Sequence, residues 1–295
     1  MTGTDRAVTV LRTGPLTVIT DLGRPGQAHI GVPRSGALDR DALRLANRLV
    51  GNPEGHAGFE VLLGGLELRA ESNCTVAVTG TPVSVWRHGG GAERRAVGSH
   101  QVVYLHAGEH LELGVPDAGL RSYLACSGGL DVPEVLGSRS TDLLSDLGPA
   151  KVSDGDRVAL GTAGDAPADA APVPVSVPPA LVTVPVLLGP RDDWFADPDG
   201  ALRGTVWTVG PASNRIGLRL AGQPLERSAE RDGQELPSEP VRPGAVQVPP
   251  SGQPVVFLAD APTTGGYPVV GVIPETALGT LAQARPGTQV RLIPG

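Results

Sequence analysis

The chain has 295 residues, a net charge of −7 and an aromatic content of 3%. It has no basic stripe interleaved with aromatic side chains, so nucleic-acid binding is not expected. Two cysteines cannot build a disulfide framework or a thiolate metal site, and a single lysine, Lys151, nearly excludes lysine chemistry. No segment approaches the ~20 apolar residues of a membrane span. The first ten residues lack the apolar core of a signal peptide, so we expect a cytoplasmic location.

Glycine and proline dominate the local pattern, with 41 Gly and 29 Pro, and helical periodicity is scarce. This composition predicts a mainly β protein with short strands, tight turns and a few short helices. Apolar runs predict strands at 75–78, 102–105, 111–113, 182–188 and 205–209.

The stretch 21–47, DLGRPGQAHIGVPRSGALDRDALRLAN, places charged side chains in a Gly/Pro-rich loop that enters a helix. The helix is predicted over 38–50 because apolar residues recur there at helical spacing. Ser35 or Asp39 can cap it. Arginines in such a loop suit the binding of carboxylates and phosphates. The candidate catalytic residues are Asp21, Arg24 and His29, with a structural hydrogen bond as an equal alternative for His29. The candidate substrate-binding residues are Ser35, Asp39 and Arg40.

A second polar cluster, DAPTTGGYPVVGV at 260–272, follows the apolar strand predicted at 255–258. Thr263 and Thr264 carry hydroxyls, and Gly265 and Gly266 permit positive φ or close approach to a ligand. Tyr267 adds a flat apolar face with a polar tip. We predict a site for a polar ligand, with an ordinary hairpin turn as the alternative. The segments 21–39 and 263–267 are expected to meet at this site.

Three isolated residues complete the candidate site. Ser127 follows the predicted strand 123–125 in a CSGG turn, and the Gln247 amide can donate and accept hydrogen bonds. Arg215 follows Ser213 and Asn214 in a turn. Its guanidinium is expected to project away from the core and clamp an anionic substrate, which makes it a catalytic candidate.

Several other polar residues favour structural roles. His100, His106 and His110 lie beside Glu109, but the segment is predicted as strand–turn–strand, so no metal site is predicted. Glu60 is interpreted as a buried partner for an arginine. Segment 87–95 is predicted to be an exposed hairpin, because it lacks the phosphate-loop pattern GxxxxGK[ST] that is the minor alternative.

An Ala/Pro-rich linker is predicted at 161–179, and three weak sequence echoes in the same order lie on its two sides. Segment 31–46 is echoed by 209–222, segment 123–137 by 257–271, and segment 153–161 by the C-terminal residues. They predict two copies of one β-rich unit, with domains at 1–172, carrying an insertion, and 173–295.

Three motifs carry a family resemblance: DLGRPG…GVPRSGALDRDALRLANRLVGN, CSGGLDVPEVLGSRSTDL and GAVQVPPSGQPVVFLADAPTTGGYPVVGVI. The sequence resembles the C subunit of 5-oxoprolinase, a group also described as allophanate hydrolase subunit 2 or the biotin-dependent carboxyltransferase family. The resemblance implies two cyclophilin-like β-barrel domains with a cleft between them.

The resemblance also implies a function. The chain is expected to be a hydrolase component of an ATP-dependent 5-oxoprolinase, which opens 5-oxoproline to L-glutamate and is active only in a complex. Proteins like the A and B subunits of 5-oxoprolinase are the implied partners, with ATP used at the level of the complex. One alternative is an allophanate- or urea-related carboxyltransferase or hydrolase component, which uses biotin on a separate carrier. Another is a non-catalytic regulatory partner of a protein like the B subunit.

Overall fold

A computed structural model of the protein describes residues 6–89, 92–164, 167 and 172–295. Residues 1–5, residues 90–91 at the tip of the predicted hairpin, and residues 165, 166 and 168–171 of the predicted linker lie outside the described residues. The chain divides into two compact units. The first comprises Met1–Arg24, Asp39–Asp142 and Asp146–Val177, and the second comprises Pro25–Leu38, Leu143–Ser145 and Pro178–Gly295.

The first unit contains two antiparallel sheets over one core. Its strands are β1 (Ala7–Thr13), β2 (Leu16–Thr20), β3 (Gly58–Leu62), β4 (Leu66–Ala70), β5 (Cys74–Gly80), β6 (Val85–Gly89), β7 (Ala92–Val97), β8 (Val102–Leu105), β9 (His110–Leu113), β10 (Arg121–Cys126) and β11 (Arg157–Ala159). One sheet has the order β11-β1-β4-β9-β6-β7 and the other β2-β3-β10-β5-β8. Leu68 and Leu111 from the first sheet join Phe59 and Leu124 from the second in one buried cluster.

The helix α1 (Arg40–Leu49) packs against β5 and β10 of the first unit. It begins at Arg40, two residues after the predicted start, with Asp39 as the N-cap: the Asp39 side chain accepts a hydrogen bond from the amide of Ala42. It ends before Gly51, which has the positive φ of a helix terminator. The predicted helix and its Asp39 cap are therefore confirmed.

The second unit contains a closed barrel with the order β12-β19-β16-β17-β14-β13-β20. Its strands are β12 (Leu181–Leu188), β13 (Val206–Val209), β14 (Gly217–Ala221), β15 (Glu239–Pro240), β16 (Ala245–Gln247), β17 (Val255–Phe257), β18 (Thr264–Gly265), β19 (Val269–Val272) and β20 (Gln289–Pro294). Alternate residues of β12, Val182, Val184 and Val186, face the core as the period of a strand requires. Strands β15 and β18 form a separate ribbon.

The mainly β class is confirmed, and each predicted strand overlaps an observed one. Two short helices, α2 (Pro198–Gly204) and α3 (Glu275–Ala282), and a 3-10 turn (Asp192–Trp194) were not predicted individually. Segments 87–89 and 92–95 pair as predicted for a hairpin. No helix among the described residues is long and apolar enough to cross a membrane.

The segments paired by the second and third predicted echoes contain similar elements, and the repeat itself stays a prediction. Segments 123–137 and 257–271 both carry a strand into a loop, and segments 153–161 and 285–295 both contain a strand. The first echo is wrong, because segment 31–46 leads into α1 whereas segment 209–222 leads into β14. The shared letters LRLA are helical in one unit and extended in the other, since tertiary packing overrides local propensity.

Candidate functional site

A buried ion pair lies at the end of β17 in the second unit. Asp260, fully buried, follows this strand by three residues, and Arg215, 2% exposed, precedes β14. The guanidinium donates from Nε to Oδ2 at 2.8 Å and from Nη2 to Oδ1 at 2.9 Å. Two parallel charge-assisted bonds fix both side chains in one geometry.

Other donors complete the shell around this carboxylate. The Ser35 hydroxyl donates to Asp260 Oδ1 at 2.7 Å, and the Leu143 amide donates to Oδ2 at 3.2 Å. Arg215 Nη2 also donates to the carbonyl of Gly36 at 2.8 Å. Asp260 therefore joins three segments that are distant in the sequence, and all three belong to the second unit. We define Ser35, Arg215 and Asp260 as the Asp260 cluster.

The expected position of the Arg215 guanidinium is wrong. The sequence predicts a guanidinium that projects from a turn, but the side chain is buried, and Asp260 and Gly36 accept its hydrogen bonds. The physical reason is the buried carboxylate of Asp260, which requires a cation to offset the loss of its hydration. In this position Arg215 organises the loop after Asp260, and its assignment as a catalytic residue stays a prediction.

The Thr/Gly turn follows Asp260 directly. Thr264 and Gly265 form β18, which pairs with Glu239–Pro240, and the Gln247 amide donates to the carbonyl of Tyr267 at 3.1 Å. Thr264, Gly266 and Tyr267 are exposed, whereas Thr263 is partly buried. Hydroxyl, amide and aromatic groups thus lie at the surface of a loop whose two ends are anchored.

Gly265 lies close to the side chain of Gln247. A Cβ atom at this position would lie 2.5 Å from Gln247 Nε2. Neither Gly265 nor Gly266 has positive φ. The close neighbour of Gly265 is the side chain of Gln247, and close approach of these glycines to a ligand stays a prediction.

The N-terminal candidates belong to both units. His29 lies in the second unit, is exposed, and its Nδ1 is 3.0 Å from the carbonyl oxygen of Gly26. Asp21 and Arg24 lie in the first unit. Within the second unit the structure joins Ser35 to Arg215 through Asp260. The wider expectation, one site formed by segments 21–39 and 263–267, stays a prediction.

The Asp21 carboxylate has a dense set of internal donors. It accepts from the hydroxyls of Ser138 and Ser140 at 2.7 and 2.6 Å, and from the amides of Gly23 and Arg139 at 2.7 and 2.6 Å. This arrangement holds residues 21–23 against the segment 138–140 within the first unit. It gives Asp21 a structural role, and its assignment to catalysis stays a prediction.

Arg24 is buried next to this turn. Its guanidinium donates to the carbonyls of Val135 and Ser140, and its Nη1 lies 4.0 Å from a carboxylate oxygen of Asp142. Both side chains are fully inaccessible to solvent. Through these carbonyl contacts, Arg24 connects the segment after β2 to the backbone at Val135 and Ser140 in the first unit.

The remaining candidates in the first unit have local partners. Arg40 donates to the carbonyl of Leu22 at 2.7 Å. The Ser127 hydroxyl accepts from Arg6 at 2.9 Å and from the Thr75 amide at 3.3 Å. Both residues therefore connect strand ends and loops, and substrate binding by them stays a prediction.

Glu60 has the buried arginine partner that the sequence predicts. Its carboxylate lies 3.4 Å from Arg121 Nε and accepts from the Tyr123 hydroxyl at 2.7 Å. The same hydroxyl accepts from the Asp39 amide at 2.8 Å. Burial is the largest cause that raises the pKa of Tyr123 well above its usual value, and the negative charges of Glu60 and Asp39 raise it further. Tyr123 thus joins the start of α1 to the core of the sheet.

The histidines divide into different environments. His100 is buried, and burial lowers its pKa. His106 is exposed. His110 Nδ1 lies 3.1 Å from Glu67 Oε1, next to His88, which no sequence motif singles out.

The Asp260 cluster fixes the position of the loop and neutralises a buried charge. Its carboxylate is saturated by donors, so it is not arranged as a free base. The loop that it anchors presents hydroxyl and amide groups without a cation or a nucleophile–base pair of its own among residues 263–267. Such a surface suits hydrogen bonding to a polar ligand.

This β architecture and its polar loop match a known class of protein. A family described as "Carboxyltransferase domain, subdomain A and B" matches residues 30–294, and the chain belongs to this family. It is similar to the C subunit of 5-oxoprolinase from Escherichia coli (strain K12), with 38% identity over 96% of this chain and 90% of the relative.

Solved structures agree with this assignment. TTHA0988 is 33% identical with a TM-score of 0.86, over 97% of this chain and 55% of that chain. The Kluyveromyces lactis urea amidolyase is 30% identical with a TM-score of 0.87, over 98% of this chain and 18% of that chain. The chain therefore spans about half of the first structure and less than a fifth of the second.

Proposed function

We propose that this chain is one component of an ATP-dependent 5-oxoprolinase, which opens the lactam of 5-oxoproline to give L-glutamate. The observation that carries the proposal is the 38% identity to the C subunit of the E. coli 5-oxoprolinase across nearly the whole of both chains. The family match over residues 30–294 includes the Asp260 cluster and the 263–267 loop. The name of that relative also supports a role as one component of a larger complex.

The chemistry explains why several subunits are needed. A lactam carbonyl is a poor electrophile, and phosphorylation by ATP activates it before water opens the ring. The sequence has no GxxxxGK[ST] phosphate loop. Proteins like the A and B subunits of 5-oxoprolinase are therefore the proposed partners, and ATP is bound at the level of the complex.

The part proposed for this chain is to bind and orient the substrate. In this proposal, Thr264 and the amides around Gly266 donate hydrogen bonds to the carboxylate or carbonyl oxygens of the substrate. The Asp260 cluster holds the loop in position before the substrate binds. Preorganised donors stabilise developing negative charge more than water does, because they need no reorganisation during the reaction.

A carboxyl-transfer role is the second candidate. It is favoured by the name of the family and by the similarity to urea amidolyase over 98% of this chain. In this case the chain would act on a carboxyl group delivered by biotin on a separate carrier, with urea or allophanate as the related substrate class.

A substrate comparison separates the two candidates. The chain is co-purified with its A-like and B-like partner proteins, and the complex receives ATP with either 5-oxoproline, or urea together with bicarbonate, a biotin carboxylase and a biotinylated carrier protein. The proposal predicts glutamate formation with 5-oxoproline and no urea-dependent ATP consumption. Urea-dependent turnover that requires a biotin carrier, without glutamate formation, would support carboxyl transfer instead.

A further inference from the structure

The outer face of the six-stranded sheet carries a cluster of imidazole and carboxylate groups away from the Asp260 cluster. Glu67 lies on β4, His110 on β9 and His88 on β6, three neighbouring strands. His88 and His110 are direct cross-strand partners. Leu68 and Leu111, which alternate with the cluster along the strands, are buried in the core, so the period of the strands directs the polar groups outward.

The ligand atoms of these three residues converge. Glu67 Oε1 lies 3.1 Å from His110 Nδ1 and 3.6 Å from His88 Nε2, and all three atoms lie within 4.8 Å of one another. A tetrahedral zinc ion with bonds of about 2.0–2.1 Å places its ligand atoms about 3.3–3.4 Å apart. Two of the distances therefore lie within a few tenths of an ångström of what such an ion requires.

Neighbouring arginines orient the carboxylates. Arg12 Nη2 lies 3.4 Å from Glu67 Oε2 and 3.3 Å from Glu112 Oε1. Arg12 therefore pairs with Oε2 of Glu67, whereas Oε1 is the oxygen next to both imidazoles. Arg94 holds Glu112 Oε2 at 3.0 Å. Partners of this kind fix the rotamer of a metal ligand and are a regular part of metal sites.

We infer that Glu67, His88 and His110 form a binding site for a divalent transition-metal ion of the zinc type. Two neutral imidazoles and one carboxylate suit zinc, whereas magnesium and calcium take oxygen ligands. His110 binds through Nδ1, with its ring proton on Nε2. The fourth position is left to water, at the edge of a depression of about 400 Å³ lined by Arg12, Glu67, His88, Arg94 and Glu112.

The expected consequence is a clip across three strands. One ion would tie β4, β6 and β9 together on the face opposite the core, and the side chains are partly exposed, with 17% for Glu67, 27% for His88 and 26% for His110. Ion entry therefore needs no opening of the fold. Because the ion binds the folded state, it raises the melting temperature as its concentration rises.

The test is a calorimetric titration of the full chain with zinc chloride after removal of any affinity tag. We expect saturable binding of one ion per chain and a rise in melting temperature. His88→Ala, His110→Ala and Glu67→Gln are each expected to weaken binding by at least about tenfold. His106→Ala is the matched control, because His106 is an exposed histidine four residues from His110 that lies outside the cluster, and it should bind as the wild type does.

Circular dichroism checks that each variant is folded, and anomalous diffraction at the zinc edge locates the ion in crystals of the wild-type chain. An anomalous peak between Glu67, His88 and His110 supports the site. The inference is overturned if zinc does not bind, if binding is unchanged in His88→Ala and His110→Ala, or if the peak lies elsewhere. None of these outcomes depends on 5-oxoprolinase activity.

Discussion

Arg215 and Asp260 form a two-bond salt bridge that is buried at the end of a barrel strand, with N–O distances of 2.8 and 2.9 Å. Ser35, 225 residues from Asp260 in the sequence, donates to the same carboxylate. This relationship anchors the start of the polar loop 261–267. Arg215 is therefore positioned to hold this loop, and its guanidinium is not exposed to solvent.

Arg215→Ala is expected to lower the free energy of unfolding by about 3–5 kcal/mol, because it leaves the buried Asp260 carboxylate without its cation. Urea unfolding of the isolated chain measures the loss. Arg219→Ala is the control, since Arg219 is exposed on β14 and should change stability by no more than about 0.5 kcal/mol. Equal losses in the two variants would show that the ion pair does not stabilise the fold.

Thr264→Val tests the exposed loop. Removing one donor to the substrate is expected to lower kcat/KM of the assembled complex about tenfold, equivalent to about 1.4 kcal/mol. Stability should change little, because Thr264 is exposed. Thr183→Val, at an exposed position on β12 of the same unit, should leave both turnover and stability unchanged. Wild-type turnover by Thr264→Val would remove this hydroxyl from substrate binding.

The two thiols are expected to be inert in the folded protein. Burial raises the pKa of Cys74 to about 11 and that of Cys126 well above its usual value. At pH 8 a thiol with a pKa near 11 has roughly 0.1% thiolate, against roughly a quarter for an unperturbed cysteine. A colourimetric thiol reagent should react slowly with native protein and release two equivalents in denaturant. Rapid labelling of the native chain would contradict the burial of both residues.

Tyr123→Phe is expected to reduce stability at neutral pH by about 1–3 kcal/mol, because Glu60 loses a donor and the Asp39 amide loses an acceptor. The folded-state pKa of Tyr123 lies above the unfolded value of about 10. Its contribution is therefore complete below about pH 10 and is lost as the pH rises further.

The difference in unfolding free energy between wild type and Tyr123→Phe should accordingly shrink above about pH 10. Urea unfolding at several pH values measures it. Tyr104→Phe is the matched control, since Tyr104 is 45% exposed and should show little change at any pH. A pH-independent difference for Tyr123→Phe would mean that the hydroxyl keeps its proton equally in the folded and unfolded states.

The elements that follow from local sequence were predictable. The helix α1 has an apolar period, an aspartate cap and a terminal glycine, and each of these acts within a few residues. The helix α3 was missed because it is short and its N-cap, Pro274, offers no side-chain hydrogen bond. Leu278, Leu281 and Ala282 do supply a buried face, but eight residues give little period to detect.

The site was predictable only in part. Ser35 and Arg215 are singled out by residue type, but Asp260 is not, because an aspartate after a strand is typical of a turn. Its importance depends on two partners, 225 and 45 residues away, that local patterns cannot connect. The same limitation applies to His88, whose nearness to His110 and Glu67 arises from strand pairing.

The most direct test of the proposed function is reconstitution with one component omitted at a time. The purified chain and its A-like and B-like partner proteins are mixed with 5-oxoproline and ATP, and L-glutamate is measured. Glutamate should form with all three proteins, and omission of this chain should abolish it, while the chain alone should show no substantial ATPase or amidase activity. Undiminished glutamate formation without this chain would contradict its assignment as a required component of the complex.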